Sequence, residues 1–243
     1  MNRSSIWISG IVAVVCFAGG FLFANFLNRS ELTNLRGENE RLKAGQTSSR
    51  QNAQDVTLSE DEITQKLKEA EENRDDFAFQ KSLGLGLYRY GAIKQEPAVI
   101  ERAVPVLLRA NALKPEDYDV VVGLGNAYYD IGYFRKDNAG FDRSRDFYKI
   151  ALGKRPNDIE VRTDLGLTYF LQDPPDHMAA IAEFERSLAV DPKHEKTLSF
   201  AALSMKKAGR DPSKYAAVLR SVNPDNPTLK ELTSPTQPPP LSQ

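Results

Sequence analysis

Apolar residues fall into three different patterns along this chain. From Ile6 to Leu27 no charged residue interrupts the sequence, and its polar members are only Ser9 and Asn25. About 20 apolar residues in a helix span a bilayer core, so this stretch predicts a transmembrane helix. From Glu31 to Lys43 the spacing changes to a heptad. Leu32, Leu35, Asn39 and Leu42 take a, d, a and d positions, with Glu31 and Glu38 at g and Arg36 and Lys43 at e. From Ser59 onward apolar positions recur at three- and four-residue steps between Pro and Gly breaks. That period belongs to amphipathic helices, so the fold class is all-α.

The first two patterns point to one membrane-proximal device. Within the apolar stretch Ser9, Ala13, Cys16, Gly20 and Ala24 share one helical face, and Gly20-x-x-x-Ala24 lets two helices approach closely in lipid. In a parallel dimer Glu31 would face the partner's e position at 36, and Glu38 the one at 43. A buried Asn at an a position, here Asn39, fixes register. Gly20, Ala24, Leu32, Leu35, Asn39 and Leu42 are therefore the expected interface of a parallel homodimer. Solvated helices with no partner remain open, since the heptads number two and Gly37 weakens a helix by about 1 kcal/mol. A cleaved leader also remains open at Ala18-x-Gly20, although Phe21 to Phe23 continue the apolar run.

Positive charge cuts both ways on orientation. Arg29, Arg36, Arg41 and Lys43 follow the span and only Arg3 precedes it, which favours a cytoplasmic C-terminal side. A short N-terminal tail ahead of a single leading anchor favours the reverse. The reading adopted is a single-pass protein of a bacterial inner membrane with an extracytoplasmic C-terminal domain.

Residues 45–58 hold Gln, Ser, Asn, Ala and Thr with hardly a large apolar side chain, which is linker composition. The linker ends sharply. Ser59 and Glu62 form a capping box, and Leu58 and Ile63 a hydrophobic staple, so a leading helix runs to about Asn73.

Beyond it the sequence repeats. Pro115, Pro156, Pro192 and Pro227 each follow a helical pattern, with Arg74 in the same slot upstream, at spacings of 41, 41, 36 and 35. Nine and ten residues past these slots stand Leu83-Gly84, Leu124-Gly125, Leu165-Gly166 and the degenerate Ala201-Ala202. Tyr128 and Tyr169 follow three residues on. Leu124-Gly-Asn-Ala-Tyr-Tyr129 and Ala180-Ile-Ala-Glu-Phe184 through Asp191-Pro192 resemble the two helices of the tetratricopeptide repeat, whose period is 34 residues. The resemblance covers about residues 76 to 227 and implies a helix-turn-helix solenoid of about four repeats, the last degenerate. The excess lengths of 7, 7, 2 and 1 fall between the two helices of each repeat. Gly91, Gly132 and Gly209 stand where first helices are expected to end. The division is 1–28 anchor, 29–44 coiled coil, 45–58 linker, 59–227 repeat domain and 228–243 a Pro-rich disordered tail.

The resemblance also implies a concave surface lined by the first helix of each repeat. Its residues here are Lys81, Leu85, Tyr88 and Arg89, then Val122, Asn126, Tyr129 and Asp130, then Thr163, Leu167 and Phe170, and finally Lys206. Tyr88, Tyr129 and Phe170 are the expected aromatic anchors for a partner peptide or helix. Some relatives grip a terminal carboxylate with Lys, Asn and Arg. Lys81 and Asn126 suit that clamp, but Thr163 and Leu167 stand where it needs cations.

Composition removes other classes. Lys and Arg total 32 against 33 Asp and Glu, so the near-neutral chain lacks the basic footprint of a nucleic-acid binder. One cysteine permits no disulfide framework, and with two histidines no cofactor or metal site is expected. His177 and His194 read as loop residues, and no catalytic set assembles, so the chain is not expected to be an enzyme. The expected function is a membrane-anchored scaffold that recruits a protein or peptide partner. Two specific versions stay open: an accessory factor of c-type cytochrome assembly, and a structural subunit of an envelope complex for secretion, pilus or division.

Overall fold

The computed structural model describes residues Thr57 to Thr233. The expected anchor, the heptad segment and the chain past residue 233 lie outside the described residues. Among the described residues no helix is long and apolar enough to cross a membrane.

A leading helix α1 (Glu60–Glu72) is followed by four helical hairpins. These are α2 (Phe77–Lys94) with α3 (Pro97–Leu113), α4 (Tyr118–Arg135) with α5 (Asn138–Lys154), α6 (Ile159–Leu171) with α7 (His177–Val190), and α8 (Glu195–Lys207) with α9 (Ser213–Val222). A short α10 (Pro227–Thr233) ends the described chain.

Local chemistry sets the starts of these helices. Ser59 Oγ accepts from the Glu62 amide while the Glu62 carboxylate accepts from the Ser59 amide, the expected box. Leu58 packs beside Ile63, which is buried. Asp76, Asp117 and Asp158, each 41 residues apart, cap α2, α4 and α6 through bonds from the amides of Phe79, Val120 and Val161. Each cap satisfies an amide that the first turn leaves without a helical partner.

The extra seven residues of the first two repeats are helical. Their first helices have 18 residues and their second 17, against 13 and 14 in the third repeat. An added turn on both arms absorbs them. This corrects the expected ends at Gly91 and Gly132. Both lie inside helices, which run on to Gln95 and Lys136 in the left-handed conformation at φ 58° and 53°. Their purpose is close approach of the returning arm: a Cβ on Gly91 would lie 2.8 Å from Ile100 Cγ1, and one on Gly132 3.0 Å from the Phe141 amide nitrogen. Gly209, at φ 69° just past α8, does end its helix as expected.

The core is shared between hairpins. Gly84, Gly125 and Gly166 face Leu107, Tyr148 and Phe184 of the returning arms, each of these side chains fully buried. The small residues Ala110, Ala151 and Ala202 are fully buried as well. No single hairpin encloses its apolar side, so stability comes from stacking. At the front, buried Gln80 ties α1 to α2, donating from Nε2 to the carbonyls of Ala70 (2.7 Å) and Asn73 (2.8 Å). At the back, Asn223 and Asn226 donate to Glu195 Oε1 and anchor α10, whose Leu229 joins the core around Leu219. Folded chain therefore continues through Thr233, past the boundary expected at 227, because Leu229 closes an apolar end that α9 leaves open.

Candidate binding groove

The first helices of successive hairpins touch one another, and their shared side is a ladder of polar groups. Lys81 Nζ bonds Asp117 at 2.9 Å and Asp119 at 2.7 Å. Tyr88 donates to Asp130 at 3.2 Å, and Tyr118 to Asp158 at 2.6 Å. Lys196 donates to Asp164 at 2.6 Å and lies 3.6 Å from Glu160. Each rung joins one repeat to the next, so the face that would meet a partner also holds the stack together.

The ladder changes the reading of several groove residues. Lys81 is engaged rather than available. Burial alone would lower its ammonium, but the Asp119 and Asp117 bonds outweigh that and hold its pKa above the ordinary value. Leu85 lies over Gly123, where a Cβ would come within 2.4 Å of its Cδ2. Asn126 accepts from the buried Tyr148 hydroxyl at 2.8 Å. Val122 packs into the core between repeats two and three. Lys206 donates to the Glu231 carbonyl on α10. Phe170 meets Phe200 edge-on and tilts against His177, both at 5.5 Å. Arg89 stays exposed, and Tyr88, Tyr129, Asp130 and Phe170 are partly buried.

Two expected groove residues do not line the surface. Leu167 is 4% exposed and Thr163 is not exposed at all. Thr163 belongs to a hydroxyl cluster under the junction of repeats three and four. Its Oγ1 donates to the Ile159 carbonyl at 2.7 Å and lies 3.0 Å from Ser187 Oγ and 2.6 Å from Thr197 Oγ1. His194, expected in a loop, occupies the N-cap of α8. Its ring bridges Thr197 at 2.6 Å and Glu160 at 3.0 Å. An acid, an imidazole and a hydroxyl thus stand in a row. Thr197 is fully buried, so the row cannot present a nucleophile and acts as a lock between repeats. The legible signal was spacing: Glu160 and His194, and Thr163 and Thr197, are each 34 residues apart, close to the 36-residue step between these two repeats.

The centre of the groove holds Asp130 and Asp164. Burial raises Asp130, the Tyr88 bond works against it, and the charge of Asp164 adds to the rise, bringing it to about 6. Asp164 is raised by burial despite Lys196, with Glu160 and Asp158 adding to the effect. Burial also pushes the Tyr129 hydroxyl well up, reinforced by Asp164 and Asp130.

A raised carboxylate makes a testable sign. Asp130 takes up a proton at about 6 when folded and near 3.8 otherwise. Between these values the folded chain binds more protons, so stability falls as pH rises through the window. The full shift corresponds to about 3 kcal/mol, and partial exposure reduces it to about 1 kcal/mol. Asp130→Asn, which keeps an acceptor for Tyr88, is expected to be more stable than the parent by about 1 kcal/mol at pH 7.5. The difference should vanish near pH 4. Urea unfolding at both pH values checks this, and a variant less stable at pH 7.5 contradicts it.

No protein-family model matches the chain, and no curated protein matches it. Among solved structures, the crystal structure of MamA protein is similar over 73% of this chain and 87% of that one, with a TM-score of 0.53 and 15% identity. MamA 41-end from Desulfovibrio magneticus RS-1 matches over 72% and 88%, with a TM-score of 0.49 and 16% identity. The first of these likenesses shows the fold alone, and with the four stacked hairpins it makes residues 60–233 a helical solenoid of tetratricopeptide type.

Proposed function

We propose that the chain is a scaffold that holds a segment of a partner protein along the inner face of its first helices. The observation that carries this is the band of partly buried aromatic and acidic groups at Tyr88, Tyr129, Asp130 and Phe170. Aromatic side chains with a polar tip are common binding anchors because they bury large area at small entropic loss. The proposal includes attachment to a bacterial inner membrane through residues 1–28, supported by the uncharged run from Ile6 to Leu27. It places the repeat domain on the extracytoplasmic side. A parallel homodimer through residues 29–44 would double the number of grooves and raise avidity without new contacts.

Tyr133 lies one turn beyond Tyr129 and is 55% exposed, while Ile150 on the second helix of the same repeat is 48% exposed. A photo-crosslinking side chain at position 133 of the full chain, in cells, is expected to give a discrete protein adduct, and one at 150 none. Adducts at 150 with none at 133 would overturn the groove and favour a structural role for the outer face.

A further inference from the structure

We propose that the middle of the groove takes a cationic side chain, arginine above all, carried by the bound partner segment. This rests on the groove reading and specifies the partner's chemistry. The argument is charge complementarity. Among the described residues Asp130 accepts one hydrogen bond, from Tyr88, and forms no ion pair. Of the cations on the same face, Lys81 is committed to Asp117 and Asp119 and Lys196 to Asp164 and Glu160, while Arg89 stays exposed and forms no ion pair with Asp130 among the described residues. The second oxygen of Asp130 is thus left without a positive partner inside a partly dry surface.

The walls suit the same ligand. Tyr88 reaches Asp130 from the preceding first helix, and Tyr129 stands next to it on α4, close enough for the Asp130 charge to act on its hydroxyl, which makes no hydrogen bond among the described residues. A guanidinium is planar, weakly hydrated and able to stack on an aromatic ring while bonding a carboxylate. An ammonium would satisfy the charge but not the plane. An anionic segment would meet Asp130 and Asp164 together and be repelled. This is the reverse of a carboxylate clamp.

The site also has the thermodynamic mark of a binding group. Holding Asp130 ionised beside Asp164 costs the folded state stability that an amide would return. A residue kept only for packing would have no such conflict, whereas an incoming cation removes it.

The probe is a pool of random 15-residue peptides displayed on phage and selected on the full chain in detergent. Peptides whose binding is blocked by Tyr133→Ala are expected to carry an arginine or lysine. Changing that residue to glutamine, or Asp130→Asn in the protein, should each weaken binding at least tenfold. The two changes together should cost little more than either alone, since both remove one contact. Groove-binding peptides that tolerate both changes would overturn the cation and leave the groove standing. Selection yielding no peptide sensitive to Tyr133→Ala would overturn both. If a peptide of residues 29–43, with Arg29, Arg36, Arg41 and Lys43, outcompetes every selected sequence, the occupant is the chain's own segment and the external partner falls.

Discussion

Phe184→Ala is expected to lower the stability of the repeat domain by about 3–5 kcal/mol, the range for emptying a buried aromatic site. Phe184 is fully buried and belongs to the core that joins repeats three and four, with Leu198, Ala201 and Leu219 around it. Gly166 presses on its ring: a Cβ there would lie 2.5 Å from Cε1 and 2.8 Å from Cδ1. The ring is therefore fixed from the first helix of its own repeat and from the next repeat at once. Neither side can collapse into the vacancy without moving a whole helix, which puts the loss at the high end. Gly166→Ala is expected to destabilise by about 1–3 kcal/mol through overpacking. In a Phe184→Leu background the same methyl has more room, so its effect should shrink by about 1 kcal/mol. Urea unfolding of the four proteins completes the cycle. Independent effects at 166 and 184 would mean that the two residues do not share the space that joins α6 to α7.

This contact was legible in the sequence, and its neighbours show where legibility ended. Gly166 and Phe184 stand in slots that recur with Gly125 and Tyr148, and recurrence implies a common packing duty. The leading helix was equally plain, because Ser59, Glu62, Leu58 and Ile63 carry their meaning within six residues. Helix length was not. Gly91 and Gly132 look like stops because glycine is favoured past a helix end. A glycine needed for close approach inside a helix has the same letter, and only the facing residues Ile100 and Phe141 decide between the two uses.

The groove was legible as a face and illegible as chemistry. Repeat slots picked out Tyr88, Asn126, Tyr129 and Asp130; Tyr88 and Asp130 meet between first helices, whereas Asn126 accepts from Tyr148 on the second helix of its own repeat. Slots could not tell which polar groups spend themselves on a neighbour. Lys81 is taken by Asp117 and Asp119, and Thr163 is drawn inside by Ser187 and Thr197. Those outcomes depend on the rotation of one hairpin upon the next, a property of the stack and of no single repeat. The 34-residue pairs at 160 and 194 and at 163 and 197 hold only where the period is close to its family value. In the first two repeats the 41-residue step displaces such pairs, and different residues make the rungs.

The tall second hairpin sets up the other large effect. Gly140→Ala is expected to destabilise by about 2–3 kcal/mol, near the upper end for overpacking. A Cβ at 140 would fall 2.6 Å from the Gly132 nitrogen, 2.7 Å from its Cα and 3.0 Å from the Tyr128 carbonyl oxygen. All three atoms are backbone, so no rotamer change relieves the clash and α4 must part from α5. Gly132→Ala is milder, because its nearest contacts, at 3.0 Å, include the Phe141 ring as well as its nitrogen. Gly153, near the other end of α5, has nothing within 4 Å. Gly153→Ala should therefore stabilise by about 0.5–1 kcal/mol through helix propensity alone. The order 140, 132, 153 separates close approach from a general dislike of glycine in helices. It also reaches the groove. Tyr129 meets the Phe141 ring edge-on at 6.0 Å, so parting α4 from α5 removes the support behind Tyr129 and shifts Asp130 beside it. Thermal unfolding of the three variants, with crosslinking from position 133 in each, tests both steps. Gly140→Ala should lose the adduct at temperatures where the parent keeps it, and Gly153→Ala should retain it. Equal melting points for the variants at 140 and 153 would show that the two arms of this hairpin do not touch backbone to backbone.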